Sequence, residues 1–456
     1  MSETNSIAKN LSEGPVLKQL AAFSLPVMAA NALQALYSTV DMIVVGQFIG
    51  SAGLSAVGVG GQLLNLLLLI GMSVGFGAQV LLSQQVGAGD EDLQPTIGTL
   101  FTLEIALAVI FGVAGIFLRG PLLALLNTPA EAWDDAMDYM VICCTGMLFI
   151  YGYNAVCSIL RGMGESRLPM VFIAIASLVN LVLDLVFVAV LHMGVAGAAL
   201  ATVLGQGVSF LISIVYLYRH RAAFGFDFRL SSFAIRKKYL IPIAKIGVPY
   251  VVNSMAIMCS IMFVNARVNT YGVVASAVDS VGGKLLSIMN IVVGAISVSG
   301  ATMMGQCFGA RKFDRMKSCY RACFAICMVT WVLLSAVYLL WPHAVFRLFS
   351  GEEAVLDMAP QYLRISVVWL LSMCTMTAPY AVVDGVGAAM YGLIVSIADG
   401  VVARLGLCIL LERVMGLPGL WMGNALAGFV TTLMAGAYYY SGVWKKKKLL
   451  LDPNEP

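Results

Sequence analysis

Charge is scarce in this chain. Of 456 residues only 11% are Asp, Glu, Lys or Arg, against 60% hydrophobic. A soluble domain carries about 25% charged residues, so these proportions do not describe a soluble protein of this length. Histidine is scarcer still: His192, His220 and His343 sit at span ends or in loops, which argues against a bis-histidine haem. The chain lacks His-Glu-x-x-His, Gly-x-Gly-Asp and any aspartate-rich diphosphate motif, so no intramembrane enzyme is expected. Its many glycines follow no strand and precede no phosphate-binding Lys-Ser/Thr, which removes the nucleotide fingerprints. With no ATP-binding domain in sight, work would have to be drawn from a gradient, and no cofactor is expected beyond a coupling H⁺ or Na⁺. Residues 1–15 lack the basic start and short apolar core of a cleaved signal peptide. The net charge of +3 is spread over many loops and gives no reason to invoke nucleic acid. The ten cysteines lie mostly inside apolar stretches, so no disulfides are expected. Cys319, Cys323 and Cys327 share one helical face, where packing is the expected role and a soft metal the alternative.

What is present is a series of long apolar runs separated by short polar links. The ~10-residue alternating segments of a barrel are missing, and runs of ~20 apolar residues are the length of a helix crossing a bilayer. The expectation is an all-α polytopic membrane protein with twelve spans. They lie near 19–45, 54–85, 96–118, 135–159, 168–191, 195–218, 240–266, 280–306, 318–341, 358–383, 388–411 and 418–443. With the N-terminus placed inside, nineteen of the 27 Lys and Arg residues fall in inner segments, four in outer ones and the remaining four within spans. The positive-inside rule then puts both termini in the cytoplasm of a cell-membrane protein. Lys445-Lys-Lys-Lys448 reads as an anchor on anionic inner-leaflet lipid.

The chain also says nearly the same thing twice. Leu20-Ala-Ala-Phe-Ser-Leu-Pro26 answers Ile243-Ala-Lys-Ile-Gly-Val-Pro249, Gln84-Gln-Val-Gly-Ala88 answers Gln306-Cys-Phe-Gly-Ala310, and Arg161-Gly-Met-Gly164 answers Asp384-Gly-Val-Gly387, at an offset of 221 to 223 residues. Six spans return the chain to its starting side. The repeats should therefore be related by a pseudo-twofold axis along the membrane normal, the construction of many secondary transporters. The expected domains are a six-helix lobe over 1–218, a basic cytoplasmic linker over 219–239, a second six-helix lobe over 240–443 and a tail over 444–456. One chain holds both lobes, so a monomer suffices.

Polar residues inside a membrane cost several kcal/mol and each asks for a reason. In the first span Asn31, Gln34, Ser38 and Asp41 recur at three, four and three residues, a stripe about 80° wide with Tyr37 at its margin. Pro26 is the expected hinge, because it removes a backbone hydrogen bond from that helix. Ser177, Asn180 and Asp184 repeat the device in the fifth span, and Thr202, Gln206, Ser209 and Ser213 in the sixth; Asn154 adds an amide in the fourth. These stripes should line one pocket in the first half, with Asp41 and Asp184 read as its only acids deep within spans. Two carboxylates in a partly dry pocket cannot both stay ionised cheaply, so the pair can take up and release a proton. Hard oxygens of Asp41, Asn180, Asp184 and Thr202 would alternatively suit Na⁺, and a polar network that only pins helices is the plain reading. Tyr37, Gln34, Asn31, Asn154 and Gln206 are candidate cavity residues. In the second half the aligned positions are Val264 or Asn265 and Gly406 or Leu407, so the acids are confined to one lobe. There Asp399 and Arg404 are expected to pair, and Asp279 is within reach of Lys284.

Four segments carry a resemblance. They are Tyr37-Ser-Thr-Val-Asp-Met-Ile-Val-Val-Gly46, Gly71-Met-Ser-Val-Gly75, Gln85-Val-Gly-Ala-Gly-Asp90 and Leu160-Arg-Gly-Met-Gly-Glu-Ser-Arg-Leu-Pro169. With the duplication, they make the chain similar to the multidrug and toxic compound extrusion (MATE) transporters over essentially its whole length. The resemblance implies two six-helix lobes and export of organic cations or other amphiphiles in exchange for H⁺ or Na⁺. The pattern resembles the DinF-like branch, in which residues at the positions of Asp41, Asn180 and Asp184 carry coupling; Thr202 and Tyr37 also match. The NorM-like branch has a Glu where this chain has Ala256-Ile257-Met258, which disfavours an ion site in the second lobe. A lipid-precursor flippase of the same superfamily is the alternative; it should carry a more cationic cavity than Lys284 and Arg404 provide.

Overall fold

The computed structural model describes residues 7–90 and 92–451, so the first six residues, Glu91 and the last five residues of the expected tail lie outside the described residues. Among the described residues the regular elements are all helices. The first half holds α1 (Val16–Phe48), α2 (Ser51–Ala88), α3 (Gln94–Leu125), α4 (Trp133–Thr145), α5 (Met147–Gly162), α6 (Arg167–Asp184), α7 (Gly194–Arg219) and the short α8 (Arg221–Phe224). The second half holds α9 (Lys237–Asn269), α10 (Val273–Gly309), α11 (Phe313–Leu340), the short α12 (Pro342–Arg347), α13 (Glu353–Gly385), α14 (Ala389–Ser396), α15 (Arg404–Met415) and α16 (Leu417–Ser441). Backbone groups in hydrocarbon find no water, so a polar main chain crosses a bilayer only by bonding to itself. That is why apolar runs of this length become helices.

Among the described residues eleven helical stretches are long and apolar enough to cross a membrane, and the pair Ala130–Thr145 and Met147–Gly162, bent by 50°, makes a twelfth if it is taken as one span. The bend falls at Gly146, where a methyl group would lie 2.4 Å from Val203 Cγ1; only glycine lets α7 come this close. Side chains such as Phe117, Leu125, Val190, Leu333 and Val402 stay exposed, as expected of surfaces that face lipid rather than water. Two helices change pitch midway: Leu185–Val190 follows α6 as a π-helical turn, and Ile397–Ala403 joins α14 to α15 in the same way. Such turns insert a residue into the ladder and re-aim the side chains beside them.

The duplication is visible in the backbone. Left-handed φ angles recur at Gly50 and Gly272 (88° and 98°), Gly89 and Arg311 (75° and 57°), Gly164 and Gly387 (82° and 68°), and Gly194 and Gly416 (60° and 66°). Gly50 and Gly272 open α2 and α10 after tight turns that L side chains adopt only at a cost.

The chain divides into two compact units. One is built on Leu25–Gly247, the other on Leu11–Ser24 together with the chain from Val248 onward. Both breaks fall just before a proline within a helix, Pro26 in α1 and Pro249 in α9. The first unit packs around Val45, Leu64, Met140, Tyr151 and Val188. The second packs around Leu285, Met289, Phe346, Tyr362 and Trp421, and Leu11, Leu20 and Phe23 join that core. The segment before α1 is tied down there by charge: Arg315 donates to the carbonyls of Leu11, Glu13 and Gly14, and Lys312 Nζ lies 2.8 Å from Glu13 Oε1. In the first unit the segment before α9 is held in the corresponding way. Gln94 Nε2 donates to Ser232 Oγ (3.0 Å), Thr102 Oγ1 to the Phe233 carbonyl, and the Arg236 amide to Thr99 Oγ1 (3.3 Å).

Arg404 Nη2 meets Asp399 Oδ1 at 3.2 Å as expected, and the pair is buried: Arg404 also donates to Asn424 Oδ1 (2.9 Å), and Thr431 Oγ1 to Asp399 Oδ2 (2.7 Å). The anticipated Lys284–Asp279 contact is not formed. Asp279 Oδ1 accepts from Trp421 Nε1 at 3.1 Å, while Lys284 is exposed. An aromatic donor carried by α16 satisfies the carboxylate without the cost of holding a second long charged side chain. All ten cysteines are free thiols; Cys319, Cys323 and Cys327 are fully buried in the second core, and Cys374 Sγ donates to the Cys327 carbonyl. In the Lys445–Lys448 run Lys447 is turned inward, and its burial lowers its pKa to about 8.

Candidate functional site

The polar stripes of α1, α6 and α7 fall within one unit, and part of them converges. Asn180 and Asp184 are buried on the last turns of α6, just before its π-helical turn. Asn180 Nδ2 lies 3.5 Å from Thr202 Oγ1 on α7. The two helices approach closely because Gly205 has no side chain: a methyl there would lie 3.0 Å from the Ala176 carbonyl oxygen and 3.1 Å from Asn180 Cβ. Asp184 and Asp41 are near enough for their charges to act on one another, and both act on the Tyr37 hydroxyl, which also lies near Gln34. Asp41 also faces Tyr139 and Cys143 on α4.

The cluster is short of donors. Asp41 Oδ1, Asp184 Oδ1 and Gln206 Oε1 are buried and have no hydrogen-bond partner. A buried acceptor left unpaired costs roughly 1–3 kcal/mol, more if charged. An arrangement of this kind is chemically suited to a small positive guest, a proton or a metal cation, that supplies what the protein does not. Among the described residues no three His, Cys, Asp or Glu side chains are grouped to hold a metal ion.

The other expected residues are less enclosed. Asn31 and Asn154 are half-buried and make no hydrogen bond among the described residues, and Gln34 is largely exposed on α1. Pro26 lies within the continuous helix α1, beside an apolar crevice lined by Leu25, Met28, Ala29, Ala32 and Met170.

Sequence reasoning missed two groups. Asp41 and Asp184 are not the first unit's only intramembrane acids: Glu104 on α3 is fully buried, and neither of its carboxylate oxygens has a partner. Its position within the expected span 96–118 is the signal for it in the sequence. In the second unit Tyr250, Asn253, Tyr380, Asp384 and Ser396 gather from α9, α13 and α14, and no local spacing announces that meeting.

The MatE family model matches residues 26–186 and again 249–410, once in each half. The chain belongs to the MatE family. The probable multidrug resistance protein YpnP of Bacillus subtilis is 30% identical over 451 residues, covering 98% of this chain and 99% of that protein. YoeA of the same organism, also a probable multidrug resistance protein, is 26% identical, with 97% of each chain covered. Among solved structures, an outward-facing multidrug resistance MATE transporter superposes with a TM-score of 0.90 at 22% identity, over 98% of this chain and 100% of that one. A MOP superfamily transporter from Pyrococcus furiosus superposes at 0.89 with 23% identity, over 98% and 100%. The chain is thus a multi-pass membrane protein of a multidrug efflux family, with the MATE fold.

Proposed function

We propose that this MATE protein is a secondary active antiporter that exports organic cations or other amphiphilic compounds in exchange for H⁺ or Na⁺, with the coupling ion bound in its N-terminal lobe. The observation that carries this reading is the pairing of Asp41 and Asp184, two mutually sensitive intramembrane carboxyl groups, each with a buried oxygen lacking a partner. Asn180 and Thr202 add two neutral oxygens beside Asp184, which would help hold the ion and tune its release. Tyr37, Gln34 and Gln206 offer hydrogen bonds to a polar part of the substrate, and Asn31 and Asn154 are further candidates in the same lobe.

In the cycle we infer, the site takes up its ion from outside, α1 bends near Pro26 and the substrate leaves. The lobes, 1–218 and 240–443 with the 219–239 linker between them, then rock, the ion departs inward and a new substrate enters. Both termini are cytoplasmic in this scheme, one chain completes it, and the coupling residues are those of a DinF-like pattern. Each proton moved supplies about 2.3 kcal/mol per 100 mV of potential. The flippase alternative asks for several free cations along a cavity; Arg404 is committed to Asp399 and Asn424, which leaves Lys284 alone of the two cations the sequence offered.

The test is efflux of ethidium from proteoliposomes with ΔpH and a Na⁺ gradient imposed separately. One gradient should drive efflux in the wild type, and Asp41→Asn and Asp184→Asn should each abolish it with normal incorporation. Gradient-driven efflux at the wild-type rate in both variants would remove the coupling assignment.

A further inference from the structure

A second polar cluster lies within the C-terminal unit, and it has the composition of a receptor for positive charge. Asp384, one residue before the end of α13, is the repeat partner of Arg161. In the first unit Arg161 Nε donates to Gln79 Oε1 at 3.2 Å. The second unit has an anion at the equivalent place, and the Asp384 carboxylate makes neither a hydrogen bond nor an ion pair among the described residues. Its charge acts on two phenols, Tyr250 on α9 and Tyr380 one turn before it on α13. Asn253, also on α9, is 7% exposed; its Nδ2 donates to Tyr380 Oη at 2.9 Å, and its Oδ1 is buried with no partner. Tyr380 Oη lies a further 3.3 Å from Ser396 Oγ on α14. Tyr250, Tyr380 and Asp384 are each half-buried.

The groups that the cluster offers are all of one kind. The Asp384 carboxylate and Asn253 Oδ1 are acceptors, and the tyrosine rings present the negative face of their π-systems. A protein that needed this cluster only as a pin would have placed a donor against these acceptors, as it does with Arg404 against Asp399 and Asn424. We propose that Tyr250, Asn253, Tyr380 and Asp384 form a binding subsite for organic cations bearing N–H donors, such as amidines and protonated amines. The carboxylate neutralises the charge, Asn253 Oδ1 accepts an N–H, and the tyrosines cover the flat or alkyl part of the guest. The assignment rests on the export reading, whose substrate class it names. It is nevertheless tested by binding, which requires no gradient and no coupling ion.

The experiment titrates the full-length protein, in lipid nanodiscs, with the fluorescent diamidine DAPI. Tetraphenylphosphonium, a cation without N–H donors, and neutral chloramphenicol serve as comparison ligands. Wild type should bind DAPI saturably; Asp384→Asn should weaken that binding about tenfold or more, as expected when a charge-assisted contact is lost. Asp384→Glu should restore much of the loss. Asn253→Leu should weaken DAPI more than tetraphenylphosphonium, because only the former offers N–H groups, and chloramphenicol binding should be unchanged throughout. No DAPI binding by wild type, equal DAPI affinity in Asp384→Asn, or a parallel loss for all three ligands would overturn the subsite. Retained DAPI binding with no gradient-driven efflux would instead count against the export reading and leave the subsite standing.

Discussion

Gly205 stands where a methyl group would meet Asn180, 3.1 Å from its Cβ and 3.3 Å from its backbone nitrogen. The contact is backbone against backbone, so neither side can turn away. Gly205→Val should push α6 and α7 apart at the level of Asn180 and Thr202. Overpacking of this kind costs typically 1–3 kcal/mol. A lower melting temperature in detergent and impaired efflux are expected, with Gly205→Ala intermediate. A melting curve and efflux rate identical to wild type would show that the approach has slack.

Asp41 and Asp184 should behave as one unit. If both hold the same ion, Asp41→Asn and Asp184→Asn each remove nearly all coupled efflux, and the double variant is no worse than either. Non-additivity of this sort is the mark of groups acting together. Independent, multiplicative losses in the rate assay would assign the two carboxyls to separate tasks.

The buried Arg404–Asp399 pair makes a stability prediction with a sign. Arg404→Met leaves Asp399 buried and unpaired, and breaking such a pair by removing one partner costs about 3–5 kcal/mol. Arg404→Met combined with Asp399→Leu removes both charges and should recover most of that loss, leaving Thr431 and Asn424 as the residual cost. Thermal unfolding of the three proteins decides it: a double variant less stable than Arg404→Met alone would contradict the account.

The tie between Glu13 and Lys312 is exposed and pH-dependent. The hydrogen bond and charge of Lys312 hold the Glu13 carboxyl below its ordinary pKa. A carboxylate with a depressed folded-state pKa contributes stability above its unfolded value and loses it as pH falls through the folded one. The contact should therefore persist at neutral pH and fail only as the pH falls below the ordinary carboxylate range. Salt should weaken it as well, since solvent screens exposed pairs. Hydrogen exchange of the amides from Leu11 to Gly14, corrected for its intrinsic pH dependence, should accelerate there. Unchanged protection in Glu13→Gln at neutral pH would show that Arg315 holds the segment alone.

By itself the sequence determined the helical, lipid-embedded character of the chain, its duplication and the α1 and α6 stripes. Each of these is written within a few turns or as a repeated word. Hydrocarbon leaves an apolar run no choice but a helix, and residues three and four apart must share a face. Tertiary structure alone decided which polar groups found partners. It gave Asp279 to Trp421 rather than Lys284, left Glu104 without a donor, and brought Asp384 to residues more than a hundred positions away. It also placed Leu11–Ser24 in the unit formed by the second repeat. A partner reached through helix packing depends on the crossing of two helices, and that geometry is set by many small contacts, such as the one at Gly205, that no spacing along the chain encodes.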